Sequence, residues 1–74
     1  MNMNKSLNNF TMGIISNRYD LNRTGRVEWS HRIEDDGTVY IALRFVEETD
    51  PDMMYDEIEL SKQEAREFHK HSIE

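Results

Sequence analysis

Residues 25–46, GRVEWSHRIEDDGTVYIALRFV, decide the fold. Val27, Trp29, His31 and Ile33 alternate with Glu28, Ser30, Arg32 and Glu34. Past Asp35-Asp36-Gly37, Val39, Ile41, Leu43 and Phe45 alternate with Tyr40, Ala42, Arg44 and Val46. Period-two alternation on both sides of a glycine-containing turn is the signature of a β-hairpin. The pattern also selects the loop. A two-residue Asp36-Gly37 turn would pair odd positions with even ones and place Ile33 opposite Tyr40. A three-residue loop, Asp35 to Gly37, pairs Ile33 with Val39, His31 with Ile41, Trp29 with Leu43 and Val27 with Phe45. The large apolar side chains then share one face, and Gly37 takes the left-handed position that such loops require. The same register sets Glu28 opposite Arg44 on the other face.

Working outward, Asn22-Arg23-Thr24-Gly25 reads as a turn with positive φ at Gly25. Phe10 to Tyr19, with Phe10, Met12, Ile14 and Ile15, is expected to form a first strand whose register the pattern does not select. Residues 1–9, rich in asparagine, read as a flexible polar N-terminal tail, leaving residues 10–74 as a single α+β domain. Downstream, Glu47 to Tyr55 is an acidic loop, and Asp56 to Leu60 a short strand with Ile58 and Leu60 on the core face. Pairing Leu43 with Leu60 and Phe45 with Ile58 places Arg44 between Glu28 and Glu59, and sets Glu47 against Asp56 at the end of the ladder. Ser61-Lys62-Gln63-Glu64 is a capping box. It opens a helix to about Ser72 whose thin apolar stripe is Ala65, Phe68 and Ile73. The expected fold is therefore α+β: a small antiparallel β-meander of three to four strands with one C-terminal helix packed on one face. Its expected core is Val27, Trp29, Ile33, Val39, Ile41, Leu43 and Phe45 with Ile58, Leu60 and Phe68. His31, on the same face, is expected to be a partly buried structural histidine.

The chain has 74 residues, room for one core. No run of apolar residues is long enough to span a bilayer. Without cysteine, disulfides, thiolate metal sites and cysteine nucleophiles are excluded. Met1 to Ser6 lacks the apolar stretch of a secretion signal, so a cytoplasmic location is expected. A core this small barely offsets chain entropy, which favours a homodimer or a tight partner.

The candidate chemistry is sparse. Ser30 and His31 are strand neighbours and point to opposite faces, so they form no nucleophile–base dyad. His69 and His71 stand two apart on a helix, and their imidazoles diverge. Asp50, Asp52 and Asp56 lack the sharp-turn glycine and the twelfth-position glutamate of a calcium loop. Glu57 and Glu59 share a strand face, but a chain this short has little material for the cleft of a glycosidase. No glycine-rich phosphate loop is present. The expectation is a non-enzyme with no cofactor and no metal site.

Charge carries what remains. Residues 1–33 have a net charge of +3, residues 34–59 of −9, and residues 60–74 of zero. Such segregation speaks to partners more than to fold. Seven acids fall among the thirteen residues Glu47 to Glu59, without a basic residue between them. Met53, Met54 and Tyr55 sit in the middle of the run, and methionine and tyrosine suit adaptable, half-wet contacts. The candidate partner-binding surface is thus Glu47, Glu48, Asp50, Asp52, Met53, Met54, Tyr55, Asp56, Glu57 and Glu59. Strand carboxylates two residues apart are spaced roughly 6.7 Å and can imitate phosphates. The expected function is a small acidic protein-binding module for a basic surface, such as that of a nucleic-acid-handling enzyme. In size and charge the chain resembles phage-encoded inhibitors of such enzymes, although no motif carries the likeness. Solubility alone is the competing explanation of the acids. The alternative function is a structural, self-assembling homo-oligomeric subunit. Direct nucleic-acid binding through Arg18, Tyr19, Arg23, Arg26, Trp29 and Arg32 is disfavoured, because Trp29 faces away from Arg26 and Arg32 and the net charge is −6.

Overall fold

The computed structural model describes residues 5–72. In chain order the elements are α1 (Lys5–Arg18), α2 (Leu21–Thr24), β1 (Val27–Ile33), β2 (Val39–Phe45), β3 (Tyr55–Glu59) and α3 (Lys62–Ser72). The three strands form one antiparallel sheet in the order β1-β2-β3, and the helices cover one face.

The hairpin has the register set by its loop. Val27 pairs with Phe45, Trp29 with Leu43, His31 with Ile41 and Ile33 with Val39. Gly37 has φ 92°, and its N–H donates to the Glu34 carbonyl at 2.9 Å, closing the turn. The Glu34 N–H then bonds the Thr38 carbonyl at 2.8 Å and starts the ladder. On β2 the alternation is complete: Val39, Ile41, Leu43 and Phe45 are buried, while Ala42 and Arg44 are exposed.

Three expectations are corrected. Phe10 to Tyr19 is not a strand: α1 runs from Lys5 to Arg18, so Lys5 to Asn9 belongs to a helix and not to a tail. Residues 1–4 of the expected tail, and Ile73 of the helix stripe, lie outside the described residues. The residues α1 buries, Leu7, Thr11, Ile14 and Ile15, fall at helical spacing and lie on the sheet beside α3. Secondly, β3 is displaced along β2 relative to expectation. Ile58 pairs with Ile41, Asp56 with Leu43 and Tyr55 with Arg44, while the Leu60 N–H bonds the Val39 carbonyl at 2.9 Å. Glu59 therefore stands opposite Tyr40 and not Arg44, and Glu47 does not meet Asp56. Glu28 does pair with Arg44, at 2.7 Å. The slide spans an even number of residues, so Ile58 keeps its face. Thirdly, β1 is less covered than expected. Val27 and Trp29 are half-buried, His31 is exposed and Ile33 is 47% exposed. The helices centre on β2, so the outer half of an edge strand faces water.

The capping box closes α3. The Glu64 N–H donates to Ser61 Oγ at 3.1 Å, and the Ser61 N–H donates to Glu64 Oε1 at 2.9 Å. Arg18 at the end of α1 reaches both Glu64 oxygens at 3.3 Å, tying the two helices together. The Ser61 N–H, aided by the Arg18 guanidinium, holds the Glu64 carboxyl below its ordinary pKa.

Phe68, fully buried, and Trp29, half-buried, should separate in a truncation series. Phe68→Ala is expected to cost about 3–5 kcal/mol in chemical denaturation, and Trp29→Ala clearly less. Equal costs would contradict the placement of α3 over β2.

Candidate functional site

The acidic segment lies between β2 and β3, and its loop is held by its own backbone. The Phe45 N–H donates to the Met54 carbonyl at 2.8 Å, the Glu48 N–H to the Phe45 carbonyl at 3.2 Å, and the Met53 N–H to the Asp50 carbonyl at 2.9 Å. Two carboxylates cap turns within it: Glu48 accepts from the Asp50 N–H at 3.2 Å, and Asp50 from the Asp52 N–H at 3.0 Å.

The fold divides the ten expected contact residues into groups. Glu47 is tied to the start of β1, where its carboxylate accepts from the Arg26 N–H at 3.3 Å and lies over Gly25. Gly25 has φ 77°, a conformation that favours glycine, whereas the Glu47 carboxylate, 2.7 Å from where a Cβ would stand, is the end of a flexible side chain that could move aside. Glu57 and Glu59 lie on the sheet face away from the helices. Glu57 forms an ion pair with Arg32, whose guanidinium also stacks 4.2 Å above the Tyr40 ring. Glu59, opposite Tyr40, is the main cause of a raised Tyr40 pKa. Met54 is half-buried, and its carbonyl serves the ladder.

The remaining residues build a groove. Glu48, Asp52, Met53, Tyr55 and Asp56 line a depression of about 330 Å³ together with Tyr19, Thr24 and Phe45. Met53 and Tyr55 are 61% and 64% exposed. Asp50 stands beside the rim. The Tyr19 ring packs 5.3 Å from Phe45, and its hydroxyl donates to Asp56. Burial and then that hydrogen bond push the Tyr19 pKa up to about 12, so its hydroxyl remains a donor at neutral pH. Among the described residues, Glu48, Asp50, Asp52 and Asp56 form no ion pair with a basic side chain.

Tyr19, Thr24 and Phe45 escaped the sequence reading as groove residues. In the chain Tyr19 stands among arginines and Phe45 in the alternating apolar row, and neither pattern signals the groove. Asp56 shares the helix-side face with Ile58 in either register, and the slide of β3 changes only its position along that face, setting it opposite Leu43 and in contact with Tyr19. The groove offers carboxylate acceptors around an apolar, aromatic floor, an arrangement suited to a cationic or donor-bearing side chain.

Elsewhere, His71 stacks on Phe10 at 5.0 Å and its Nδ1 lies 2.6 Å from Ser6 Oγ, while His69 Nε2 is 3.4 Å from the Gly37 carbonyl. The two imidazoles serve different contacts. Among the described residues no three His, Asp or Glu side chains converge to hold a metal ion, and no helix is long and apolar enough to cross a membrane. No protein-family model, curated protein or solved structure matches the chain.

The raised Tyr19 pKa has a defined consequence. Its contribution to stability is intact below the unfolded value of 10.0 and is lost as pH climbs to about 12. Tyr19→Phe should flatten that part of the alkaline limb in denaturation measured across this range. An alkaline limb identical to that of the parent chain would contradict the Tyr19–Asp56 contact.

Proposed function

We propose that this chain is a non-enzymatic binding module whose acidic segment engages a basic surface on another protein. The observation that carries the reading is the groove. Phe45, Tyr19 and Met53 provide apolar and aromatic contact, and Glu48, Asp52 and Asp56 surround it with negative charge. An arginine or lysine side chain matches both features, through its stem and its charged head. The carboxylate rim would steer a basic partner and the floor would hold it. Basic surfaces that handle nucleic acid are the natural class of target, and an inhibitor of such an enzyme is the finer form of the proposal. Any mimicry of phosphates would rest on the loop acids, because Arg32 partly neutralises Glu57 on the outer sheet face.

The fold sharpens the choice of variant. Asp56 and Glu57 have partners within the domain, so replacing them disturbs Tyr19 and Arg32 as well. Glu48→Gln with Asp52→Asn removes two rim charges and spares those contacts. Asp35→Asn with Glu67→Gln removes the same charge from distant exposed positions. Titration with an oligo-arginine peptide should give binding that weakens with salt. The rim variant should bind roughly tenfold more weakly, about 1.4 kcal/mol, and the distant variant nearly as well as the parent. Equal loss in both variants would reduce the acids to a general charge effect, and no loss in either would remove the proposal.

A further inference from the structure

The free edge of β1 carries an inference that does not depend on the acidic groove. The Val46 N–H bonds the Arg26 carbonyl at 3.0 Å, and the Glu34 N–H bonds the Thr38 carbonyl at 2.8 Å. Even-numbered residues of β1 therefore face β2 with their backbone groups, and Val27, Trp29, His31 and Ile33 turn theirs to the open side. Among the described residues no backbone bond outside the β1–β2 ladder reaches these four. The strand is seven residues long, without a bulge, proline or lysine to blunt its edge. Its helix-side row is also only half covered, with His31 and Ile33 exposed. The other free edge differs. β3 has three acids in five residues, so a second β3 alongside it would bring acid against acid.

We propose that β1 pairs antiparallel with β1 of a second copy of this chain, about a two-fold axis at Ser30. The charge order on the outer face selects the occupant and the register. Arg26, Glu28, Ser30, Arg32 and Glu34 read plus, minus, neutral, plus, minus, which is its own complement when reversed. Centred at Ser30, Glu28 meets Arg32 of the second copy and Arg26 meets Glu34, each twice by symmetry. Centring the pair at Trp29 sets Arg26 against Arg32, and centring it at His31 sets Glu28 against Glu34, so both neighbouring registers are repulsive. The Ser30 register also matches the backbone. It pairs outward-facing Val27 with Ile33 and Trp29 with His31, for roughly eight interchain hydrogen bonds. The half-covered residues thereby gain neighbours. Across the six-stranded sheet, Tyr55, Arg44 and Glu28 continue into Arg32, Tyr40 and Glu59 of the second copy, an alternating row already half built by the Glu28–Arg44 and Arg32–Tyr40 contacts. The two acidic grooves would stand near opposite ends of one sheet.

Sedimentation equilibrium of the intact chain, with charge-reversal variants, tests this. The parent chain should show a mass rising with concentration toward twice 8.9 kDa. Glu28→Arg alone and Arg32→Glu alone should each raise the dimer dissociation constant at least about tenfold, because each creates two like-charge pairs. Mixing the two variants restores both pairs, so a heterodimer near parental affinity is expected, and a misfolded variant could not produce it. Ser30→Cys should yield a covalent dimer on mild oxidation, the chain having no other cysteine, whereas exposed Thr49→Cys should not. A parent chain that stays monomeric at millimolar concentration would overturn the proposal. So would a dimer that survives both reversals, or one that Thr49→Cys traps as readily as Ser30→Cys.

Discussion

The pairing of odd residues with odd residues across the hairpin governs this domain. The Asp35–Gly37 loop allows it because Gly37 takes positive φ, and it puts Val39, Ile41, Leu43 and Phe45 on one face of the central strand. A slip of one residue would turn that row to water and leave the helices nothing to cover. Everything else rests on this row. α1 adds Leu7, Ile14 and Ile15, α3 adds Ala65 and Phe68, and β3 adds Ile58, with Leu60 just beyond its end. Once β2 is central, β1 becomes a free edge and the acidic segment becomes the connection to β3.

Hairpin and capping box could be read from the chain because both are local. Alternation, one glycine and a Ser-to-Glu spacing specify them without distant contacts. α1 could not be read in that way. Phe10, Met12 and Ile14 imitate a strand, and Asn8, Asn9 and Gly13 are weak helix formers. Its helical period emerges only when Leu7 and Thr11 are counted with Ile14 and Ile15, and burial on the sheet supplies what propensity lacks. Thr11 bears the mark of that override: it is fully buried, and its hydroxyl has no partner among the described residues. For β3, parity was legible and position was not. A slide by an even number of residues keeps Ile58 on the core face, so the apolar pattern is blind to it.

That slide also shapes the candidate site. It moves Asp56 under Tyr19, gives Tyr55 to Arg44 and leaves Glu59 beside Tyr40. The run of seven acids is not uniform as a result. Glu47 fastens the loop to β1, Glu57 meets Arg32, and Glu48, Asp50 and Asp52 are left without basic partners among the described residues. Sequence alone located the patch through its charge. The fold shows which of its members lack a basic partner among the described residues and sets aromatic rings from outside the run beside them. The two binding readings use different ends of the sheet, and neither needs the other.

The odd-to-odd register is open to direct measurement. Trp29–Leu43 and His31–Ile41 are non-hydrogen-bonded pairs, whose α-protons approach closely in an antiparallel ladder. Nuclear Overhauser spectroscopy of the labelled chain should show strong cross-strand α-proton contacts from Trp29 to Leu43 and from His31 to Ile41. Contacts from Trp29 to Arg44 and from His31 to Ala42 would mean a two-residue loop and would contradict the account from the core outward.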